Sequence, residues 1–326
     1  MSPSEASLAA APAAPPLPWW QRAAAAYVRR EWPGWGRVYA AIGGNDGARW
    51  LHAGTHVVRG KLHGYRMELD LANWSERLTW FLGRYHDLSL QRALQLVLRP
   101  GDAFVDIGAN LGMLSLLARH LVGPKGAVLA CEPNPRLVGR VERTLRQNRL
   151  DGVEVLGLAV SDAPGSARLF EYAGHAGWGS LSPDGPPGAP RTASWTVPCR
   201  TGDELLAQRE PARPLVVKID VEGHEVAVLR GLDRTLATRR PLVFCEVVDA
   251  HLRRAGASAA ALQRELLRHG YRGFELADRR RGLGHDVAFR ALDPAETREV
   301  DAMFVPPGGP LADRVAPLLP CNRAAL

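Results

Sequence analysis

Five acidic residues stand where an apolar run gives way to a turn: Asp106 within Val105–Gly108, Glu132 after Gly126–Cys131, Asp162 after Val153–Ser161, Asp220 after Leu215–Ile219, and Glu246 near the end of Pro241–Val247. In an open α/β sheet, ligands bind beyond the carboxyl ends of the strands, at the point where the strand order reverses. The turn Gly108-Ala109-Asn110-Leu111-Gly112 follows the first acid and opens a helix at Met113–Leu121, so the backbone can approach a ligand closely. The acid then selects that ligand. A pyrophosphate favours a helix N-terminus free of negative charge, whereas S-adenosylmethionine carries an ammonium and a sulfonium that a carboxylate such as Asp106 attracts. The three-glycine dinucleotide spacing is also broken, by Asn110 and Met113. Glu132, roughly two dozen residues beyond the turn, suits the two ribose hydroxyls of an adenosine. Asp162 is placed for the adenine edge. The expected cofactor residues are therefore Asp106, Gly108, Ala109, Asn110, Gly112, Glu132 and Asp162.

With three acids assigned to the cofactor, Asp220 and Glu246 face whatever lies beside the methyl group. Methyl transfer from a sulfonium is an in-line displacement, in which the protein aligns the nucleophile and helps to remove its proton. Asp220 is the favoured substrate-side carboxylate, and Glu246 and His224 complete the expected catalytic set. Glu222 is read equally as a cap of the helix Glu225–Leu232. A divalent metal held by Asp220 with Asp249 and His251 is a less favoured route, because no ligand spacing supports it.

These residues need a doubly wound sheet to hold them, and strands alternate with helical segments from Asp102 onward. The strands expected are 103–108, 126–131, 153–159, 214–220, 241–248, 270–276 and 300–306, which makes seven. Segment 166–200 breaks the alternation with strands Ala167–Tyr172 and Ser194–Cys199 around a glycine-rich loop holding Trp178, a candidate substrate loop. Upstream, Trp19–Val28 has helical periodicity, His56–Leu62 and Tyr65–Leu71 read as a hairpin around His63-Gly64, and a helix spans about Trp74 to Leu98. The expected domains are a disordered tail at 1–18, an N-terminal helix, hairpin and cap helix at 19–99, the main domain at 100–306, and a proline-rich tail at 307–326.

The chain of 326 residues is 46% hydrophobic, enough for a sizeable core. Its net charge of +7 comes from scattered arginines, and the densest run, Arg279–Arg281, falls in an expected turn, so no nucleic-acid partner is expected. The cysteines at 131, 199, 245 and 321 lack metal spacing and read as reduced thiols in a cytoplasmic protein. The alanine- and proline-rich opening contains no lysine or arginine up to Pro18 and fits neither a secretory signal nor a transmembrane span.

The motifs resemble the FkbM family of S-adenosylmethionine-dependent methyltransferases. The most specific is Lys218-Ile219-Asp220-Val221-Glu222-Gly223-His224-Glu225 followed by Val228-Leu229-Arg230-Gly231; Pro241–Val247 resembles the next strand with its usual Glu at 246. Ala159–Asp162, Gly165–Phe170, Gly179–Leu181 and Val197–Leu206 follow the family's order, and the likeness runs from about residue 65 to 306, departing at Gly202, where the family usually has leucine. The resemblance implies a Rossmann-like seven-stranded methyltransferase sheet, mostly parallel with the last strand, Asp301–Pro306, antiparallel, and an N-terminal helix and hairpin cap that often closes over substrate. It places Tyr85 and His86 in the region of a cofactor-closing residue. It further implies methylation of a hydroxyl on a small-molecule or glycan acceptor: a sugar, a glycan or a polyketide-type secondary metabolite. Two other readings stand beside it: a non-catalytic cofactor-binding interaction module and an NAD-dependent oxidoreductase.

Overall fold

The computed structural model describes residues 16–172, 179–185, 188–207, 209, 213–282, 284–293 and 298–320. The first fifteen residues of the expected tail, Trp178 with most of its loop, and Cys321 lie outside the described residues. The chain divides into two compact units, one formed by Met1–Gly60 with Arg66–His86 and the other by Lys61–Tyr65 with Asp87–Leu326.

In the smaller unit, helices Trp19–Arg29, Trp35–Ala41, Gly47–Trp50 and Trp74–Leu82 accompany an antiparallel hairpin of β1 (Thr55–Arg59) and β2 (Arg66–Asp70), in register from Thr55↔Asp70 to Arg59↔Arg66. Val28, Tyr39, Trp50, Leu71, Phe81 and Leu82 form its core. The guanidinium of Arg77 is buried, and it satisfies the carbonyls of Gly44 at 2.8 Å and Leu71 at 2.6 Å. The single helix expected over about 74–98 is two. Gly83 ends the first in a left-handed conformation (φ 67°), and Asp87 caps the second, Leu88–Val97, by accepting from the Leu90 amide at 3.1 Å. The unit boundary falls in this break, so Leu88–Val97 belongs to the larger unit and the boundary expected at residue 99 lies at Asp87.

The larger unit contains β3 (Ala103–Ile107), β4 (Ala127–Cys131), β5 (Val153–Leu156), β6 (Ala159–Ser161), β7 (Gly165–Tyr172), β8 (Gly179–Ser180), β9 (Arg191–Thr201), β10 (Leu215–Ile219), β11 (Leu242–Val247), β12 (Arg272–Arg281), β13 (Gly284–Ala291) and β14 (Val300–Val305). Eight of these form the main sheet in the order β13-β12-β14-β11-β10-β3-β4-β5. From β5 to β11 the neighbours are parallel, and β10 is buried along its whole length, as a strand covered on both faces must be. β14 runs antiparallel to β11, as the family resemblance implies.

The expected count of seven strands is one short. Arg279–Arg281 does not turn; it extends β12, which pairs antiparallel with the edge strand β13, and Asp278–His285 (2.8 Å) and Arg279–Asp286 (3.2 Å) pair across the two. A second correction concerns 153–159. The strand ends at Leu156, and after Gly157-Leu158 the chain enters a separate four-stranded sheet, β6-β9-β7-β8, in which β6 lies parallel to β9. The segment after Pro306 also carries structure: Leu311, Ala312 and Val315 are buried around a short helix, Ala312–Val315, and Arg314 pairs with the Asp102 carboxylate. No helix among the described residues is long and apolar enough to cross a membrane.

Candidate functional site

Four of the five acids gather at the carboxyl ends of β4, β3, β10 and β11, which are neighbouring parallel strands. The turn after β3 is shaped by close packing. Gly108 is left-handed (φ 76°), and a Cβ there would lie 1.8 Å from the Asp220 carbonyl oxygen, so only glycine lets the two strand ends meet. Asn110 is also left-handed (φ 51°), and Gly112 (φ 70°) begins the helix Met113–Val122 with no side chain capping it. The Asn110 amide donates to Glu132 Oε2 at 2.8 Å, and the Asn134 amide donates to Glu132 Oε1 at 2.8 Å. Glu132 thereby ties the turn after β3 to the turn after β4. Burial pushes its carboxyl up to about 7 against the pull of those two amides.

Asp106 is fully buried. Its Oδ2 accepts from Ser115 Oγ at 2.6 Å, and its Oδ1 has ion-pair contact alone, with Lys218 Nζ at 3.3 Å. Lys218 also donates to the Gly108 carbonyl at 2.7 Å and lies 3.4 Å from Asp220 Oδ2. Burial opposes the ammonium, but Asp220 and Asp106 outweigh it and hold its proton more firmly than usual. Asp106 thus braces the glycine turn from below through Lys218 and Ser115.

On the other side, the Asp220 carboxylate is 31% exposed. Glu246, the register partner of Asp301, is raised well above the usual carboxylate range by burial and then by the charges of Asp220, Glu222, Asp301 and Glu225. It keeps its proton where an isolated carboxyl has lost it. Glu222 (φ 55°) does not cap the following helix; its Oε2 meets His251 Nδ1 at 3.0 Å. The residue that closes this turn is Glu225, whose Oε1 accepts from the amides of Val221 and Gly223, both at 3.1 Å. Asp249 does not join a metal site with Asp220: its oxygens accept from the Ala259 amide at 2.9 Å and from Arg253. Among the described residues no cluster of His, Cys, Asp or Glu has the makings of a metal site.

Asp162 and His224 lie elsewhere. Asp162 follows β6 in the smaller sheet, so it is the one acid of the five that does not end a strand of the main sheet. His224 Nε2 is 2.9 Å from Ser161 Oγ, and that hydroxyl is 3.2 Å from Asp162 Oδ1. Burial lowers the His224 pKa, which keeps the ring neutral at pH 7. Both residues line an open cleft of about 530 Å³ together with Ser182, Asp184 and Arg254.

The family model described as the methyltransferase FkbM domain matches residues 106–272, just over half of the chain. The chain belongs to the FkbM methyltransferase family. It is an S-adenosylmethionine-dependent methyltransferase. It is 29% identical over 198 residues to the hexuronic acid methyltransferase AglP of Haloferax volcanii, covering 57% of this chain and 74% of AglP. It is 31% identical over 179 residues to the 31-O-demethyl-FK506 methyltransferase FkbM of Streptomyces tacrolimicus, covering 47% of this chain and 67% of that one. Among solved structures, the methyltransferase FkbM from Methylobacillus flagellatus KT overlaps with a TM-score of 0.40 at 14% identity, over 83% of this chain and 60% of that one.

The residues of this methyltransferase fit its cofactor on one observation. The Asn110 Oδ1 atom beside the turn is buried without a hydrogen-bond partner. The sequence missed Lys218, Ser115 and Glu225 as parts of this site. Lys218 stands in the Lys-Ile-Asp-Val-Glu-Gly motif, and an ammonium inside an otherwise apolar strand is itself a signal of a buried acid beside it.

Proposed function

We propose that this methyltransferase transfers a methyl group from S-adenosylmethionine to a hydroxyl oxygen of a sugar or polyketide-type acceptor. The observation that carries the cofactor assignment is the Glu132 bridge: a near-buried carboxylate with one lone pair on each oxygen committed to a turn amide and a second left for a hydroxyl hydrogen. Glu132 takes the ribose hydroxyls, while Gly108, Ala109, Asn110 and Gly112 give the close backbone wall. Asp106 acts through Lys218 and Ser115, fixing that wall and adding negative charge beneath it. When bound, S-adenosylmethionine supplies an electrophilic methyl group.

Asp220, anchored by Lys218 and open on its outer side, positions the acceptor hydroxyl and receives its proton. Glu246 keeps its own proton and serves as a hydrogen-bond donor in the same space. An oxygen acceptor is supported by the 31-O-demethyl-FK506 methyltransferase of Streptomyces tacrolimicus, and a sugar-type acceptor by the hexuronic acid methyltransferase AglP. Buried free thiols at Cys131, Cys199 and Cys245 support a reducing, cytoplasmic setting. Turnover of labelled S-adenosylmethionine against a panel of hydroxylated sugars and macrolactones tests the reading; product with methylated nitrogen or carbon only would replace the oxygen assignment.

A further inference from the structure

The outward face of helix Trp19–Arg29 has an unusual composition for a surface that meets only water. Its inward side follows helical spacing: Gln21 and Val28 are buried, and Trp20, Ala24 and Ala25 pack against the core of the smaller unit. The exposed residues are Trp19, Arg22, Ala23 and Ala26, continued by Arg30 one turn on. At 3.6 residues per turn these five positions fall within about a third of the helix circumference, so they form one face. A water-facing stripe carries polar side chains, commonly charges of both signs; this one carries an indole that is 79% exposed, two alanines and two cations.

The turn after the helix continues the pattern. Trp32 is 50% exposed and held in place, with the Tyr27 ring edge-on at 5.3 Å and the Arg30 guanidinium 5.2 Å from its ring centre. Between Pro16 and Gly44 the sole acid is Glu31. Its carboxylate is engaged by the buried Arg84 guanidinium at 2.9 and 2.5 Å, which leaves no exposed acid on the helix or the turn. Arg22 and Arg30 make no ion pair among the described residues; Arg30 bonds the Ala26 carbonyl of its own helix at 3.1 Å.

Indole rings settle at the headgroup level of a bilayer, where the ring is buried and its N–H stays hydrated, and guanidinium groups pair with lipid phosphates. Arginines with no acid among them fit a negatively charged surface and oppose a second copy of the same face, which would set arginine against arginine. The indoles and alanines between them favour lipid over a nucleic-acid backbone, which would leave that apolar area uncovered. We propose that this face docks the smaller unit on an anionic bilayer surface, with Trp19 and Trp32 in the headgroup layer and Arg22 and Arg30 on lipid phosphates. The attachment is peripheral and independent of the methyl-transfer chemistry.

The test is sedimentation of the full chain with vesicles of phosphatidylcholine alone and of phosphatidylcholine with phosphatidylglycerol, beside Trp19→Ala and the double variant Arg22→Glu/Arg30→Glu. The unaltered chain pellets with the mixed vesicles and not with the neutral ones, and raised salt releases it. Each variant lowers the partition coefficient about ten-fold or more while its melting temperature is unchanged. Brominated phosphatidylcholine in the mixed vesicles quenches the tryptophan fluorescence of the unaltered chain more than that of Trp19→Ala. No binding to mixed vesicles, equal binding to both compositions, or variants that bind as the unaltered chain does would overturn the proposal. So would a Trp19-dependent dimer or RNA complex in place of vesicle binding.

Discussion

Lys218 and Asp106 are register partners across the parallel strands β10 and β3, and their side chains meet at 3.3 Å in the interior of the sheet. Burying two charges is tolerable only when they are paired and further hydrogen-bonded, which Ser115 and the Gly108 carbonyl supply. The pair also points the strand end at the glycine turn. One buried contact therefore links sheet stability to the shape of the cofactor wall.

Lys218→Met should leave Asp106 as an uncompensated buried charge and cost about 3 to 5 kcal/mol in urea denaturation. Adding Asp106→Asn should recover a large part of that loss. Equal destabilisation of the single and double variants would mean the pair is not the origin of the effect.

The Glu132 carboxyl titrates near 7 in the folded chain because burial disfavours its charge. Ribose hydroxyls donate to the ionised form, so binding must expel a proton below that pH. Affinity for S-adenosylhomocysteine should fall as pH drops from 8 to 6, approaching ten-fold per unit below 7. Calorimetry in buffers of different ionisation enthalpy should show proton release near pH 6; a flat profile would remove Glu132 from the ribose.

Asp220→Asn and Glu246→Gln should separate. The first removes the group that takes the acceptor's proton and should lower kcat by about a hundred-fold or more, while leaving cofactor affinity nearly intact. The second mimics the protonated state that burial and its acidic neighbours already favour and should stay within a few-fold of the unaltered enzyme. The reverse order would exchange their roles.

Glu225 is buried and raised to about 7, whereas in the unfolded chain it titrates near 4.5. Between those values the folded chain holds the extra proton, so stability is greatest on the acid side, declines as pH rises to about 7, and is level above it. Glu132 gives a slope of the same sign. Glu225→Gln keeps an acceptor for Val221 and Gly223 and should remove its share of the slope, at most about 3 kcal/mol. A variant whose melting temperature tracks pH as the unaltered chain does would contradict this.

The parallel core was legible because its strands are continuous apolar runs ending in an acid, and Asp106, Glu132, Asp220 and Glu246 do end neighbouring strands. β13 was not, since Arg279–Arg281 resembles a turn until Asp286 and His285 lie opposite it. Asp162 was misplaced for a similar reason: Val153–Ser161 reads as one apolar strand, and nothing local announces that Ala159 pairs with Cys199 in another sheet. The role of Asp106 was half visible. Its acidity was plain, but its burial against Lys218 arises from strands 112 positions apart in the chain (218 minus 106).

The central claim is that the turn from Gly108 to Gly112, tied to Glu132, holds S-adenosylmethionine. Calorimetric titration of S-adenosylhomocysteine into the unaltered chain and into Glu132→Ala, each checked for folding by circular dichroism, tests it most directly. Micromolar binding that falls at least ten-fold in a folded Glu132→Ala is the predicted result. No binding to the unaltered chain, or full affinity retained without the Glu132 carboxylate, would contradict it.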